Sequence, residues 1–332
     1  MRSHPLSALF IVVVAGCTGK VIEPAPTARY NAMGQLDASG EVFHLVGGAD
    51  SSGMLQDAWA LDIPHRQWVR VDGPSVPLLS AAAARVDDII HVFGGTTTGR
   101  VETDGLVGWE TRGGIWEDLD AGADRPTARR EATLTALGDE QAVLIGGNND
   151  DSGDPGATFG DVWGLDVRGP TWTEVPTTDG PAGLQRHATA FDGARVWVHG
   201  GIDASGILTA SLWSLDVATW IWTEHTWSTD GPEARADHLL AYADGRLVVW
   251  GGQLDDPDVW VFDVASSAWD RVAADGPSER DAFAWDVVDD APFAVVVGGD
   301  PVDSEGYASD VWVLDLQTIA WTEILRLDDT SF

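Results

Sequence analysis

A glycine doublet closing an apolar run recurs six times along this 332-residue chain, at Gly47-Gly48, Gly94-Gly95, Gly146-Gly147, Gly200-Gly201, Gly251-Gly252 and Gly298-Gly299. Each doublet closes a short β-branched and aromatic run, such as residues 42–46 or 246–250. The spacing is about fifty residues, a period that, with turn signals inside each unit, indicates a propeller or solenoid and not unrelated domains. Downstream of five doublets stands one motif: DAWALD (57–62), DVWGLD (161–166), SLWSLD (211–216), DVWVFD (258–263) and DVWVLD (310–315). In each unit a second tryptophan follows the first by nine residues: Trp59 and Trp68, Trp163 and Trp172, Trp213 and Trp222, Trp260 and Trp269, Trp312 and Trp321. Such fixed spacing requires a hairpin of constant geometry, and the aspartate after the leucine or phenylalanine can accept backbone N–H bonds in its turn.

A turn signal, Asp-Gly-Pro, follows at residues 72–74, 179–181, 230–232 and 275–277, and then a strand of small residues often introduced by arginine. Each unit thus has four strands: a after the proline, b ending in the glycines, c with the first tryptophan and d with the second. The 17 tryptophans and 38 glycines belong to this repeat, since periodic glycine and aromatics mark propellers and related all-β arrays. The double glycine, the spaced aromatic pair and the four-stranded unit resemble the Kelch repeat over residues 27–326. The resemblance implies an all-β, six-bladed β-propeller of four-stranded antiparallel blades, with strand a at the axis and strand d outside. Blade two departs from the pattern: its strand c reads DGLVGW (104–109), with Leu106 in the tryptophan position, Trp109 in that of the turn aspartate, and Ser80 in that of the arginine.

The N-terminus reads as export machinery. Arg2 precedes an apolar stretch from Leu6 to Ala15, too short to span a bilayer and consistent with a signal-peptide core. Val14-Ala15-Gly16-Cys17 resembles the lipobox of bacterial lipoproteins, which implies lipidation of Cys17, the single cysteine. The expected organisation is a signal peptide at 1–16, a lipidated tether at 17–26, the propeller at 27–326 and a tail at 327–332. It implies a lipid-anchored protein of the cell envelope, at the outer membrane or cell surface in a Gram-negative cell. With 19 basic against 53 acidic residues, the formal charge is -34 and the one lysine is Lys20. A nucleic-acid partner is excluded, because binding a polyanion needs a basic stripe. A monomer is expected.

In an antiparallel meander the b–c and d–a loops share one rim, which is the candidate binding face. Arg29, Arg129, Arg186, Arg235 and Arg280, read as equivalent starts of strand a, are candidate ligand-binding residues forming a cationic ring at the channel mouth; the same repetition also fits hydrogen bonding between blades. Asn148, Asp150, Ser152, Gly153 and Asp154 faintly resemble a calcium loop, but no glutamate closes it. His44 and His91 stand at the same place in strand b of adjacent blades, too few to form a metal centre. No metal and no cofactor are expected.

Two functions remain open: an envelope-anchored binding or scaffold module gripping a protein or glycan on its rim, and a Kelch enzyme acting on a sugar. Resemblance to galactose oxidase fails, since its copper site depends on a cysteine-tyrosine crosslink and Cys17 precedes the repeats. The Glu-x-x-Asp-x-x-x-His spacing of the Kelch-built specifier proteins is absent. A mutarotase-like activity would need acid/base groups near the axis, for which Glu131, Arg186, Asp237 and His238 qualify by position; no catalytic residue is assigned. No Gly-x-Ser-x-Gly elbow, zinc signature or phosphate loop is present.

Overall fold

The computed structural model describes residues 25–326 apart from 100, 112–113, 150–157, 288–291 and 303. Six four-stranded antiparallel sheets follow one another along the chain, each a simple meander. Blade one runs through Met33–Leu36, Val42–Val46, Ala58–Asp62 and Gln67–Val71, strands a to d in spatial order. Blades two to six begin at Ala82–Val86, Thr133–Ala136, Ala188–Phe191, His238–Ala243 and Ala284–Val287. They end at Ile115–Leu119, Thr171–Glu174, Ile221–His225, Ala268–Val272 and Ala320–Leu325. The all-β six-bladed architecture expected from the repeat is therefore what the chain adopts.

Burial explains why six sheets make one ring. The buried side chains fall into six clusters, and each joins two neighbouring blades, including one that seats Leu36 and Phe43 of blade one against Val295 and Val311 of blade six. The second tryptophan of a unit serves the preceding interface: Trp172 packs edge-on against Phe93 with ring centroids 5.0 Å apart, and Trp321 against Trp250 at 4.8 Å. A sheet has two apolar faces here because both are covered by neighbours, which is why strands b and c read as nearly unbroken apolar runs.

Two closed circuits of backbone hydrogen bonds fix the interior of the ring. In the first, the second glycine of each doublet donates its N–H to the next blade: Gly48 to Leu78, Gly95 to Arg129, Gly147 to Leu184, Gly201 to Arg235, Gly252 to Arg280 and Gly299 to Arg29, at 2.8 to 3.0 Å. In the second, Ser80 donates to Asn31, Glu131 to Ser80, Arg186 to Glu131, Asp237 to Arg186, Ala282 to Asp237 and Asn31 to Ala282, at 2.7 to 3.3 Å. Blade six thus closes on blade one by the same bonds that join every other pair.

The doublet is glycine for a geometric reason. Gly147 has φ +93°, and a Cβ there would lie 2.7 Å from Ala132 Cβ and 2.8 Å from the Arg130 carbonyl oxygen. Gly193 has nearly the same φ, +91°, with nothing within 4 Å of its Cβ position. Gly193→Ala is therefore expected to cost about 1 kcal/mol of backbone strain, and Gly147→Ala about 3 kcal/mol because the clash adds to it. Urea denaturation midpoints check this; equal shifts for the two variants would show that close approach contributes nothing. The glycine of Asp-Gly-Pro is crowded in another way: a Cβ on Gly180 or Gly276 would fall 2.4 Å from Cδ1 of Trp222 or Trp321, the second tryptophan of the following blade.

Blade two corrects the sequence reading by one residue. Leu106 pairs with Phe93 as Ala58 pairs with Val46, so Val107 holds the first-tryptophan position and Trp109 that of the leucine, with Glu110 at the turn. The second tryptophan, Trp116, lies opposite Trp109 as Trp68 lies opposite Leu61. Trp109 is fully buried and stacks on Trp116 at 4.9 Å with a 3° interplanar angle, so the blade retains the common frame with a larger core residue.

Candidate functional site: the channel mouth

Strands a of all six blades line an axial channel of about 1100 Å³, floored largely by small residues such as Ala82, Ala84, Ala188, Ala190 and Ala241. Its mouth on the rim of the b–c loops is the second hydrogen-bonded circuit. All six members, Asn31, Ser80, Glu131, Arg186, Asp237 and Ala282, have left-handed φ between 51° and 57°. None is glycine, although this conformation favours glycine or asparagine. The three charged members sit on consecutive blades three, four and five, and the other half of the ring is small and neutral.

The five arginines divide. Arg29, Arg129, Arg235 and Arg280 are equivalent and at most 2% exposed. Each donates to the carbonyl of the first glycine of its own doublet, Gly47, Gly146, Gly251 and Gly298, at 2.8 to 3.1 Å. Each also pairs with an aspartate before strand c: Arg29 with Asp57, Arg129 with Asp161, Arg235 with Asp256 and Arg280 with Asp310, at 2.5 to 2.9 Å. The first tryptophan of the unit donates its indole N–H to the same carboxylate, from Trp59, Trp163, Trp260 and Trp312, at 2.7 to 2.9 Å. Burial pushes the Asp161 carboxyl up, but the Arg129 hydrogen bonds and charge outweigh it and hold the group below its usual range. The equivalent positions in blades two and four are the buried Leu78 and Leu184, so the clasp loses its arginine there. Arg186 stands two residues further on, in the mouth circuit. The expected cationic ring of five is corrected accordingly: four members clasp their own blades, and one faces the mouth.

Around Arg186 the mouth gathers carboxylates. Arg186 is ion-paired to Asp237, and the Gln253 carboxamide, with its oxygen turned toward Arg186, accepts from Nη1 at 3.0 Å and Nη2 at 2.7 Å. Arg130 lies 3.5 Å from Glu102 and 3.6 Å from Glu131. Burial raises Glu131, against Arg130 and Arg186 and aided by Glu102. Burial also raises Asp237 to about 6, with Arg186 opposing and Glu131 adding to it. Asp281 rises to about 6 through burial and through repulsion from Asp237 and Asp300. Carboxyl groups poised this way in a concave cavity can bind cations or exchange protons near neutrality.

The structure brings together three of the four residues named as axial acid/base groups, Glu131, Arg186 and Asp237. His238 is 2% exposed and lies in the wall, its Nε2 2.9 Å from His199 Nδ1. Sequence reasoning missed Glu102, Arg130, Gln253 and Asp281; the last is adjacent to a mouth position and could have been found by counting from the doublets. His44 packs edge-on against Trp109 at 4.8 Å, and among the described residues no group of three His, Cys, Asp or Glu could hold a metal ion. Of the calcium-like segment, Asn148 accepts from Arg130 Nε at 3.2 Å, while residues 150–154 lie outside the described residues, as does Cys17. On the rim, Val101, Ile207 and Val302, in the b–c loops of blades two, four and six, are 57%, 62% and 41% exposed.

A ring of six meander sheets joined through glycine doublets, with a polar mouth on the loop rim, defines a β-propeller of the Kelch type. The KLHDC2/KLHL20/DRC7 Kelch-repeats domain matches residues 16–201 and 177–330, and the chain belongs to the Kelch-repeat family. It is similar to acyl-CoA-binding domain-containing protein 5 of Arabidopsis thaliana, at 25% identity over 84% of this chain and 45% of that protein. It is also similar to acyl-CoA-binding domain-containing protein 4 of Arabidopsis thaliana, at 26% identity over 73% of this chain and 37% of that protein. A third similarity is to tRNA wybutosine-synthesizing protein 4 of Candida albicans, at 36% identity over 42% of this chain and 19% of that protein. The chain thus spans less than half the length of these curated relatives. Kelch propellers commonly bind proteins.

Proposed function

We propose that this chain is a protein-binding propeller held at the cell envelope by a lipid on Cys17, with the rim of b–c loops as its binding face. The observation that carries the reading is the placement of exposed Val101, Ile207 and Val302 on that rim, around the charged mouth. Exposed apolar side chains on one rim, beside charged groups that can pair across an interface, are surface that a protein partner can bury. The acidity of the chain favours a partner of opposite charge and speeds its encounter. In capture from envelope extract, Ile207→Asp combined with Val302→Asp is expected to reduce recovery of the co-purifying partner on the order of tenfold or more. Undiminished capture by this variant, folded to the same thermal midpoint, would remove the rim from recognition. Cys17→Ser is expected to move the protein from the membrane to the soluble fraction, since the acyl chains supply the anchoring energy; continued sedimentation with membranes would refute the anchor.

A second reading is favoured by the meeting of Glu131, Arg186 and Asp237 at the cavity mouth: acid/base catalysis of sugar ring opening, as in a mutarotase. Asp237, raised to about 6, could exchange a proton with a sugar hydroxyl. NMR of sugar anomerisation decides it, with acceleration lost in Asp237→Asn supporting the reading and a rate equal to buffer eliminating it.

A further inference from the structure

The channel mouth holds more negative charge than its own arginines neutralise, and it offers acceptors in excess of donors. Arg186 is the shared counter-charge of Asp237, Glu131 and Asp281. Arg130 serves Glu102 as well as Glu131. Gln253 turns its carboxamide oxygen on Arg186 and so fixes that guanidinium in the wall. Below the mouth, His187 and His238 line the same cavity at 5% and 2% exposure, and the Nδ1 of each has no hydrogen-bond partner. His187 Nε2 lies 2.9 Å from Thr133 Oγ1; with Nε2–H donating there, Nδ1 is a lone-pair acceptor. Burial holds both imidazoles neutral at pH 7. A cavity with surplus carboxylates over one immobilised guanidinium, walled by buried imidazoles whose Nδ1 has no partner, is complementary to a cation that brings its own N–H groups.

We propose that the channel mouth binds an alkylguanidinium or alkylammonium group, such as the tip of an arginine or lysine side chain, seated against Glu131, Asp237 and Asp281. This rests on the reading of the rim as the binding face, and it specifies which part of a partner enters the mouth. The distribution of residues in the circuit supports it. Six positions share one backbone conformation and one hydrogen-bonding role, yet charge is confined to the three on blades three to five. The frame itself is satisfied equally well by Ala282, Asn31 and Ser80, so the charged side chains are not required to close the ring. The neutral half leaves the approach to the carboxylates open.

The test uses the full-length chain in detergent and three uncharged-backbone probes: N-acetyl-arginine amide, N-acetyl-lysine amide and N-acetyl-glutamate amide. Calorimetric titration at pH 7 is expected to show saturable binding of the two cationic probes and none of the anionic one. Affinity should fall on the order of tenfold in Asp281→Asn and in Glu131→Gln, each of which removes one carboxylate from a desolvated charge pair. Asp139→Asn, at the opposite end of the channel, should leave it within about twofold, because that charge lies beyond a Debye length or is solvated. Both mouth substitutions remove a charge that burial disfavours, so the variants fold. Absence of saturable binding, affinity in the two mouth variants equal to that of the parent, or preference for the glutamate probe would each overturn the proposal. If the probes fail while Ile207→Asp with Val302→Asp still abolishes partner capture, the rim reading stands and this inference falls.

Discussion

Asp161→Ala is expected to destabilise the propeller by about 3–5 kcal/mol, the cost of leaving a buried guanidinium without its counter-charge. Arg129 is 1% exposed and directs three bonds inward, to the Gly146 carbonyl at 2.8 Å and to the two Asp161 oxygens at 2.6 and 2.8 Å. With the carboxylate gone, the guanidinium keeps only the Thr127 and Gly146 carbonyls as partners. Blades two and four show how the same place is filled without charge: Leu78 and Leu184 are 5% and 3% exposed, and Ser211 of blade four occupies the position of Asp161, its carbonyl accepting from Gly200 as that of Asp161 accepts from Gly146. Arg129→Leu with Asp161→Ser imitates blade four. The double variant is expected to lie within about 2 kcal/mol of the parent, the remainder being the unpaired Gly146 carbonyl and Trp163 indole. A denaturation cycle over the parent, Arg129→Leu, Asp161→Ser and the double variant should therefore give a coupling of about 2 kcal/mol or more. Additive effects would mean that the clasp is not the unit described.

Acid should weaken the fold before any of the clasps titrates. Burial lowers His44 and His187 to about 4 and His199 to about 3, against an ordinary 6.5. The unfolded chain takes up these protons first, so the stability they confer is complete above pH 6.5 and is lost progressively as the pH falls toward 4. At pH 5 each neutral buried histidine costs about 2 kcal/mol relative to pH 7. Asp237 acts in the opposite sense: raised to about 6, it destabilises at neutral pH and relieves about 1 kcal/mol as it protonates between pH 7 and 5. Asp281, more exposed, adds a smaller relief. The net loss from pH 7 to 5 is on the order of 4 kcal/mol. Urea midpoints at the two pH values measure it, and His187→Gln should shrink the difference. A midpoint that rises on acidification would contradict the burial of these rings.

The fold was legible because its determinants repeat. A doublet with positive φ in every blade, a tryptophan pair nine residues apart in five and a glycine under an indole at three turns are each demanded by geometry, so they recur at fixed spacing. Register was less legible, since spacing alone does not say which residue of a strand faces its neighbour. Arg186 imitates a clasp arginine two residues away from the true position, which Leu184 holds. Trp109 imitates a displaced tryptophan while filling the place of a leucine. The mouth was least legible. Its six equivalent positions carry Asn31, Ser80, Glu131, Arg186, Asp237 and Ala282, six different residues that share only a backbone conformation, and no repeat of residue type marks them. Gln253 joins the site from the loop after a doublet, a location that the fold, and not the local sequence, brings to Arg186.

The most direct measurement is a hydroxyl-radical footprint of the protein bound to the partner that co-purifies from the envelope. Protection is predicted at Val101, Ile207 and Val302 and around Arg186 and Gln253. Protection confined to the c–d turns at the far end of the blades, around His65, Trp220 and Ser267, would place recognition on the opposite face and contradict the account.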